Sequence, residues 1–203
     1  MTKEDKKGIL YIIGVIIIQI FIYFISKLTP FNTNILSSNF DNKIPFIPGF
    51  IYFYVSWYIM LLFFPYLLYK KNKDVFKKYM ISMIIANIIA AFIYFFYPTT
   101  MARANIQGNT LSCIITKIVY FLDTPICNCL PSMHCILCFF YIFYIKDIKN
   151  ISLLNKIMII LWSILIILST LFVKQHVIID VISAFIISSS LYILISMILK
   201  KKK

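Results

Sequence analysis

Few side chains in this sequence are able to do chemistry. Its 203 residues hold two histidines, His134 and His176, and a single arginine, Arg103, among 20 cations set against seven acids. His176 precedes Asp180 by four residues, so on a helix the two share one face. A carboxylate in such an apolar run needs a partner, and the imidazole one turn earlier supplies it. The pair has a mechanistic use: the carboxylate holds one ring nitrogen protonated and leaves the other lone pair free to attack an electrophile. A plainer reading of Asp180 is an acid favourably placed in a first helical turn. His134 closes Pro131-Ser132-Met133-His134, where a proline suits the first turn of a helix and leaves neighbouring N–H groups free. Such a start binds anions, and the Ser132 hydroxyl adds a donor; a simple proline-initiated helix is the alternative. Arg103 offers a fork for two phosphate oxygens at once, or an anchor at the headgroup level. Lys174, two residues before His176, is a second phosphate clamp or a snorkelling side chain.

The elements that must position these residues follow from composition. Hydrophobic residues make up 62% of the chain and charged ones 13%, and the mean hydropathy is +0.91. That is more apolar side chain than one compact core of this length encloses, so the chain belongs in lipid. Its formal charge of +13 fits cytoplasmic loops and anionic headgroups, which argues against a nucleic-acid partner. Five cysteines (Cys113, Cys127, Cys129, Cys135 and Cys138) cannot all pair with one another. They read as small buried hydrophobes and not as a zinc site, because no second matched pair completes the ligand spacing.

Six apolar runs predict an all-α polytopic membrane protein, a six-transmembrane-helix bundle: Gly8 to Ile25, Phe50 to Tyr69, Tyr79 to Tyr97, a short fourth from Leu130 to Ile145, Ile151 to Val173, and Val177 to Leu199. No small-x-small cleavage site follows the first run, which is therefore read as retained. No repeat or linker divides residues 1–203, so one membrane-embedded domain is expected. Fifteen of the 20 cations fall in the two termini and in the lysine-rich loops after the second and fourth runs. The opposite face has Lys27, Lys43, Arg103, Lys117 and Lys174. The positive-inside rule then predicts a multi-pass cell-membrane protein with cytoplasmic termini and an active site facing outside, at the outer ends of helices 4 to 6. The segment from Thr29 to Pro48, with Phe31, Ile35, Leu36, Phe40 and Phe46 among polar residues, either lies along the outer interface and guides lipid entry or packs as an ordinary loop.

Pro131-Ser132-Met133-His134, followed by Ser169-Thr170, five residues, His176, three residues and Asp180, resembles the type-2 phosphatidic acid phosphatase and vanadium haloperoxidase superfamily. Its signature has three blocks, roughly K-x6-R-P, P-S-x-H and S-R-x5-H-x3-D. The last two match here in order and spacing, over a motif core of about residues 97–180. The six-run layout resembles the membrane-bound bacterial branch, and residues 169–176 are similar to its inositolphosphoryl-transferase-like members. The chain departs from the signature at Phe96, Ala104 and Thr170, which stand where the family has lysine, proline and arginine. The resemblance implies catalysis by His176 as nucleophile, Asp180 as its orienting acid and His134 as acid and then base, with Arg103, Ser132 and Lys174 on the substrate phosphate. It implies no metal and no cofactor. The expected activity is hydrolysis of a phosphomonoester or diphosphate of a membrane lipid. The alternatives are phosphoryl or headgroup transfer to an alcohol, and a non-catalytic lipid-binding or transport protein.

Overall fold

The computed structural model describes residues 3–28 and 33–200. Phe31, in the segment from Thr29 to Pro48, and Lys201, Lys202 and Lys203 of the basic tail lie outside the described residues. Among the described residues the regular structure is helical apart from one short strand pair. In order it forms α1 (Lys3–Ser26), β1 (Asn34–Ile35), α2 (Asn39–Lys43), a 3-10 turn (Pro48–Phe50), α3 (Ile51–Lys71), α4 (Lys73–Phe96), β2 (Thr99–Thr100), α5 (Leu111–Leu122), α6 (Met133–Lys146), α7 (Leu153–Phe172) and α8 (Ile178–Lys200). Five helices, α1, α3, α4, α7 and α8, are long and apolar enough to cross a membrane. The 14-residue α6 is shorter.

Short α6 is the centre of the bundle. Cys135, Ile136, Leu137, Cys138, Phe140, Tyr141, Tyr144 and Ile145 are all fully buried, which is the behaviour of a helix apolar on every face. Tyr144 shares a 2.7 Å hydrogen bond with Ser82 of α4, and Tyr94 of α4 donates to the Pro131 carbonyl at 2.7 Å. In an apolar surround such interhelical bonds contribute about 1 kcal/mol each, and they fix the register of α6 against α4.

Side-chain contacts sort the helix ends into two groups. At one end Lys70 of α3 pairs with Asp5 of α1 at 2.8 Å, and Tyr192 of α8 donates to Asp147 after α6 at 3.1 Å. At the other end Tyr54 of α3 meets His134, Lys27 after α1 pairs with Asp123 after α5 at 3.1 Å, and His176 enters α8. This second group is the histidine end of the bundle, and the first is its lysine-rich end. Arg103, Lys27 and Lys174 belong to the histidine end, as the distribution of cations along the sequence predicts.

Two local expectations are corrected, and one helix is added. The lysines from Lys70 to Lys78 do not form a loop: Asn72 alone separates α3 from α4, its N–H bonding Leu68 O and its side chain accepting from the N–H groups of Asp74 and Val75. Lysine is a good helix former, so a basic run that reads as a loop continues both helices. Pro131 does not sit in the first turn of α6. It precedes the cap, Ser132, whose hydroxyl accepts the Cys135 N–H at 3.3 Å, and a capping serine fixes the start one residue later than a proline at N1 would. Finally α5, capped by Thr110, has no counterpart among the apolar runs. Its 12 residues are too few to span a bilayer, and it exposes Leu111, Ile118, Phe121 and Leu122.

Candidate active site

Asp180 lies fully buried in the first turn of α8. Its Oδ2 is 3.1 Å from His176 Nδ1 and accepts the Val177 N–H at 3.0 Å. Because that oxygen is already an acceptor, the ring nitrogen facing it is the donor, and the lone pair of His176 is left on Nε2. The connection between α7 and α8 holds the ring in place. The N–H groups of Gln175 and His176 both bond the Thr170 carbonyl at 3.0 Å, and Lys174 takes a left-handed φ of 51°. A non-glycine residue in that region costs about 1 kcal/mol or more and persists where the surroundings demand it. Here it turns the lysine back so that Nζ reaches the Asp41 carbonyl at 2.8 Å.

His134 is the second residue of α6. Its ring stacks on Tyr54 at 4.6 Å between centroids and tilts against Trp57 at 4.3 Å, and the His176 ring stands 5.8 Å away. His134 Nε2 is buried with no hydrogen-bond partner, as are Asp180 Oδ1, Arg103 Nε, Gln175 Nε2 and Trp57 Nε1. Half of the ten such atoms among the described residues therefore gather here, and each is a buried polar group that the protein's own side chains and backbone leave unsatisfied. As the first residues of α6, Met133 and His134 also have N–H groups without an intrahelical acceptor.

A cleft of about 230 Å³ opens beside His176, with Arg103, Lys174 and Asp41 on its wall. His134, Ser132 and Asp180 are not on that wall. The guanidinium of Arg103 is already engaged: it donates to Tyr120 O at 2.7 Å and to Gln175 Oε1 at 3.1 Å, pairs closely with the Asp123 carboxylate, and lies over the Tyr120 ring. The structure thus brings His176, Asp180 and His134 together, with Arg103 and Lys174 beside them. Ser132 serves as the cap of α6.

Sequence reading missed the two carboxylates that organise the rest. Asp123 takes hydrogen bonds from Arg103, Lys27 and Tyr23. Asp41, in the strap between α1 and α3, reaches across to accept the Ile178 N–H at 2.8 Å and closes a capping box with Ser38. Burial alone would raise the Asp41 carboxyl, but the bonds from Ser38 and Ile178 and the nearby Lys174 ammonium outweigh it and hold the group below its ordinary range. The stabilising effect of this strap contact is present above the usual carboxylate range and is lost only as the pH falls through the depressed value. Lys174 is shifted down by burial, partly offset by Asp41. The strap also carries β1, paired in parallel with β2, so that it is tied to both sides of the cleft.

One consequence is measurable without any substrate. Asp123→Ala strands the side chains of Arg103 and Lys27, which are only 11% and 8% exposed. Removing the partner of buried charge costs about 3 kcal/mol or more, so the variant is expected to melt well below the wild type in detergent. An unchanged melting midpoint would refute this role for Asp123.

All five cysteines are free and buried. Among the described residues no group of three His, Cys, Asp or Glu side chains is placed to hold a metal ion. No family model, curated protein or solved structure matches the chain.

Proposed function

We propose that the protein is a membrane lipid-phosphate phosphatase of the type-2 phosphatidic acid phosphatase kind, working through a phosphohistidine. The observation that supports it most is the His176–Asp180 pair, 3.1 Å apart, with a second imidazole 5.8 Å across from the first and its Nε2 unpartnered. His176 Nε2 attacks phosphorus while His134 gives a proton to the departing lipid oxygen, so the P–O bond breaks as the P–N bond forms. In the second half His134 takes a proton from water, whose oxygen displaces His176 and releases inorganic phosphate. In this reading Arg103 and Lys174 on the cleft wall, helped from behind by the Ser132 hydroxyl and the positive end of α6, stabilise the charge that develops on the five-coordinate phosphorus.

In this reading α6 is the sixth span. Its 14 residues cover roughly 21 Å at 1.5 Å per residue, less than the ~30 Å hydrocarbon thickness. With the lysine-rich end in the cytoplasm, the histidines lie just below the outer surface and meet a phosphate at headgroup level, while the lipid tail stays in the bilayer. The strap between α1 and α3 borders the cleft and exposes Ile35 and Phe40, as a segment that guides lipid entry would.

The test is phosphate release by purified protein from phosphatidate, phosphatidylglycerol phosphate and a prenyl diphosphate. Orthovanadate, which adopts the trigonal-bipyramidal geometry of the transition state, is expected to inhibit, and EDTA is expected to leave the rate unchanged. Full activity in saturating vanadate would sink the proposal, as would equal turnover of a water-soluble phosphate ester. Labelled product carrying an acceptor alcohol in place of free phosphate would assign transfer instead of hydrolysis.

A further inference from the structure

A second concave surface lies on another face of the bundle from the cleft at His176, and the two share no lining residue. Between α3 and α7 runs an open groove of about 590 Å³, more than twice the volume of the cleft at His176. Its walls are apolar, with Ile59, Phe63 and Leu67 on α3 and Met158 and Ile159 on α7. Toward the histidine end it closes where Trp162 donates its indole N–H to Ser56 Oγ at 2.9 Å, the Ser56 hydroxyl donating in turn to the Phe53 carbonyl at 2.7 Å. At the lysine-rich end it opens between Lys71 and the side-chain amides of Asn150 and Asn155. From Ser56 to Lys71 the distance along α3 is roughly 22 Å at 1.5 Å per residue, enough to run from the headgroup plane past mid-bilayer.

We propose that this groove binds one anionic phospholipid from the leaflet at the lysine-rich end, its phosphate held by Lys71, Asn150 and Asn155 and one acyl chain lying along α3 and α7 as far as the Ser56–Trp162 closure. Charge complementarity selects the occupant. The neighbouring Lys70 is paired with Asp5 at 2.8 Å, whereas Lys71 is exposed and has no partner among the described residues. A lone ammonium beside two amide donors, at the mouth of a groove that is otherwise apolar, matches an anionic headgroup above a hydrocarbon chain. A zwitterionic choline lipid would bring a second cation to Lys71. The site shares no residue with the catalytic proposal and stands or falls separately from it.

Trp162 reports directly on the groove, since it is 37% exposed there while the other tryptophan, Trp57, is buried. Full-length protein in phosphatidylcholine vesicles is titrated with phosphatidylglycerol carrying a brominated acyl chain, or with equally brominated phosphatidylcholine, and the quenching of tryptophan fluorescence is measured. Trp162→Phe gives the background from Trp57. The brominated anionic lipid is expected to quench Trp162 about five-fold more effectively than the neutral one, the preference of a single lysine for an anionic lipid. Lys71→Ala should bring that ratio to about one, and Lys71→Arg should preserve it. Equal quenching by the two lipids in the wild type would overturn the proposal, and so would an undiminished preference in a folded Lys71→Ala variant. Quenching by a brominated lipid phosphate that vanadate relieves would assign the groove to the tail of the substrate and overturn it equally.

Discussion

His176→Ala is expected to lower phosphate release from lipid phosphates by about 10⁴-fold or more, the scale on which enzymes lose rate when a covalent nucleophile is removed. The expectation follows from geometry: His176 is the one group at the cleft whose free ring nitrogen has its orientation set from behind by a buried carboxylate. The fold should tolerate the change. Removing the imidazole beside a fully buried carboxylate costs about 3 kcal/mol, but Asp180 keeps its bond from the Val177 N–H, so the melting midpoint should fall while helix content matches the wild type and activity vanishes. A companion variant separates the two histidines. His134→Ala removes the proton donor but leaves the nucleophile, so a rate loss of about 10²- to 10⁴-fold is expected with ordinary substrates. With a leaving group that needs no proton, His134→Ala should still form the phosphohistidine and accumulate it, whereas His176→Ala should form none. Lipid phosphatase activity surviving His176→Ala would end the phosphohistidine reading and return the chain to the non-catalytic alternative.

The parts of this site that were legible in the sequence are the local ones. His176 and Asp180 are one helical turn apart, so helix periodicity alone puts them side by side, and the isolation of Asp180 in an apolar run points to a partner. The long apolar runs of α1, α3, α4, α7 and α8 are equally plain, because a span needs length and composition and nothing else. What escaped lies across the chain or breaks a local rule. Asp123 bonds Tyr23 across 100 residues and Arg103 across 20, and Asp41 reaches Ile178 across 137; no periodicity predicts such pairs. Arg103 stood out as the sole arginine, yet its fork is filled first by Asp123, Gln175 and a backbone carbonyl, which only tertiary structure reveals. Tyr54 and Trp57 look like any span-lining aromatics until the rings are seen against His134. α5 did carry a signal, since Thr110 before Leu111, Ile114, Ile115, Ile118 and Val119 is a capped amphipathic pattern. It was masked because the surrounding sequence is so apolar that only runs long enough to span a bilayer stand out.

Asp180→Asn isolates the contribution of the carboxylate from that of the ring it holds. The asparagine oxygen can take the place of Oδ2 and accept from both His176 Nδ1 and the Val177 N–H, which leaves its amide nitrogen where Oδ1 now has no partner. A buried unsatisfied donor there costs about 1–3 kcal/mol. The flipped rotamer is worse for chemistry, since it presents a donor to Nδ1, moves the ring proton to Nε2 and removes the lone pair that must attack. Either rotamer lacks the negative charge that stabilises the cationic ring formed on phosphorylation, so a fall of about 10²- to 10⁴-fold in kcat is expected, the scale on which a misdirected tautomer acts in histidine-based catalysis. KM should change little, because Asp180 is buried behind His176 and does not line the cleft. The deciding measurement is the double variant. If Asp180 acts through His176, then adding Asp180→Asn to His176→Ala leaves the residual rate where His176→Ala alone put it, since groups that work as a unit are strongly non-additive. If instead the two losses multiply, Asp180 does something other than position this imidazole, and its cap on the start of α8, through the Val177 N–H, becomes the more important of its two bonds.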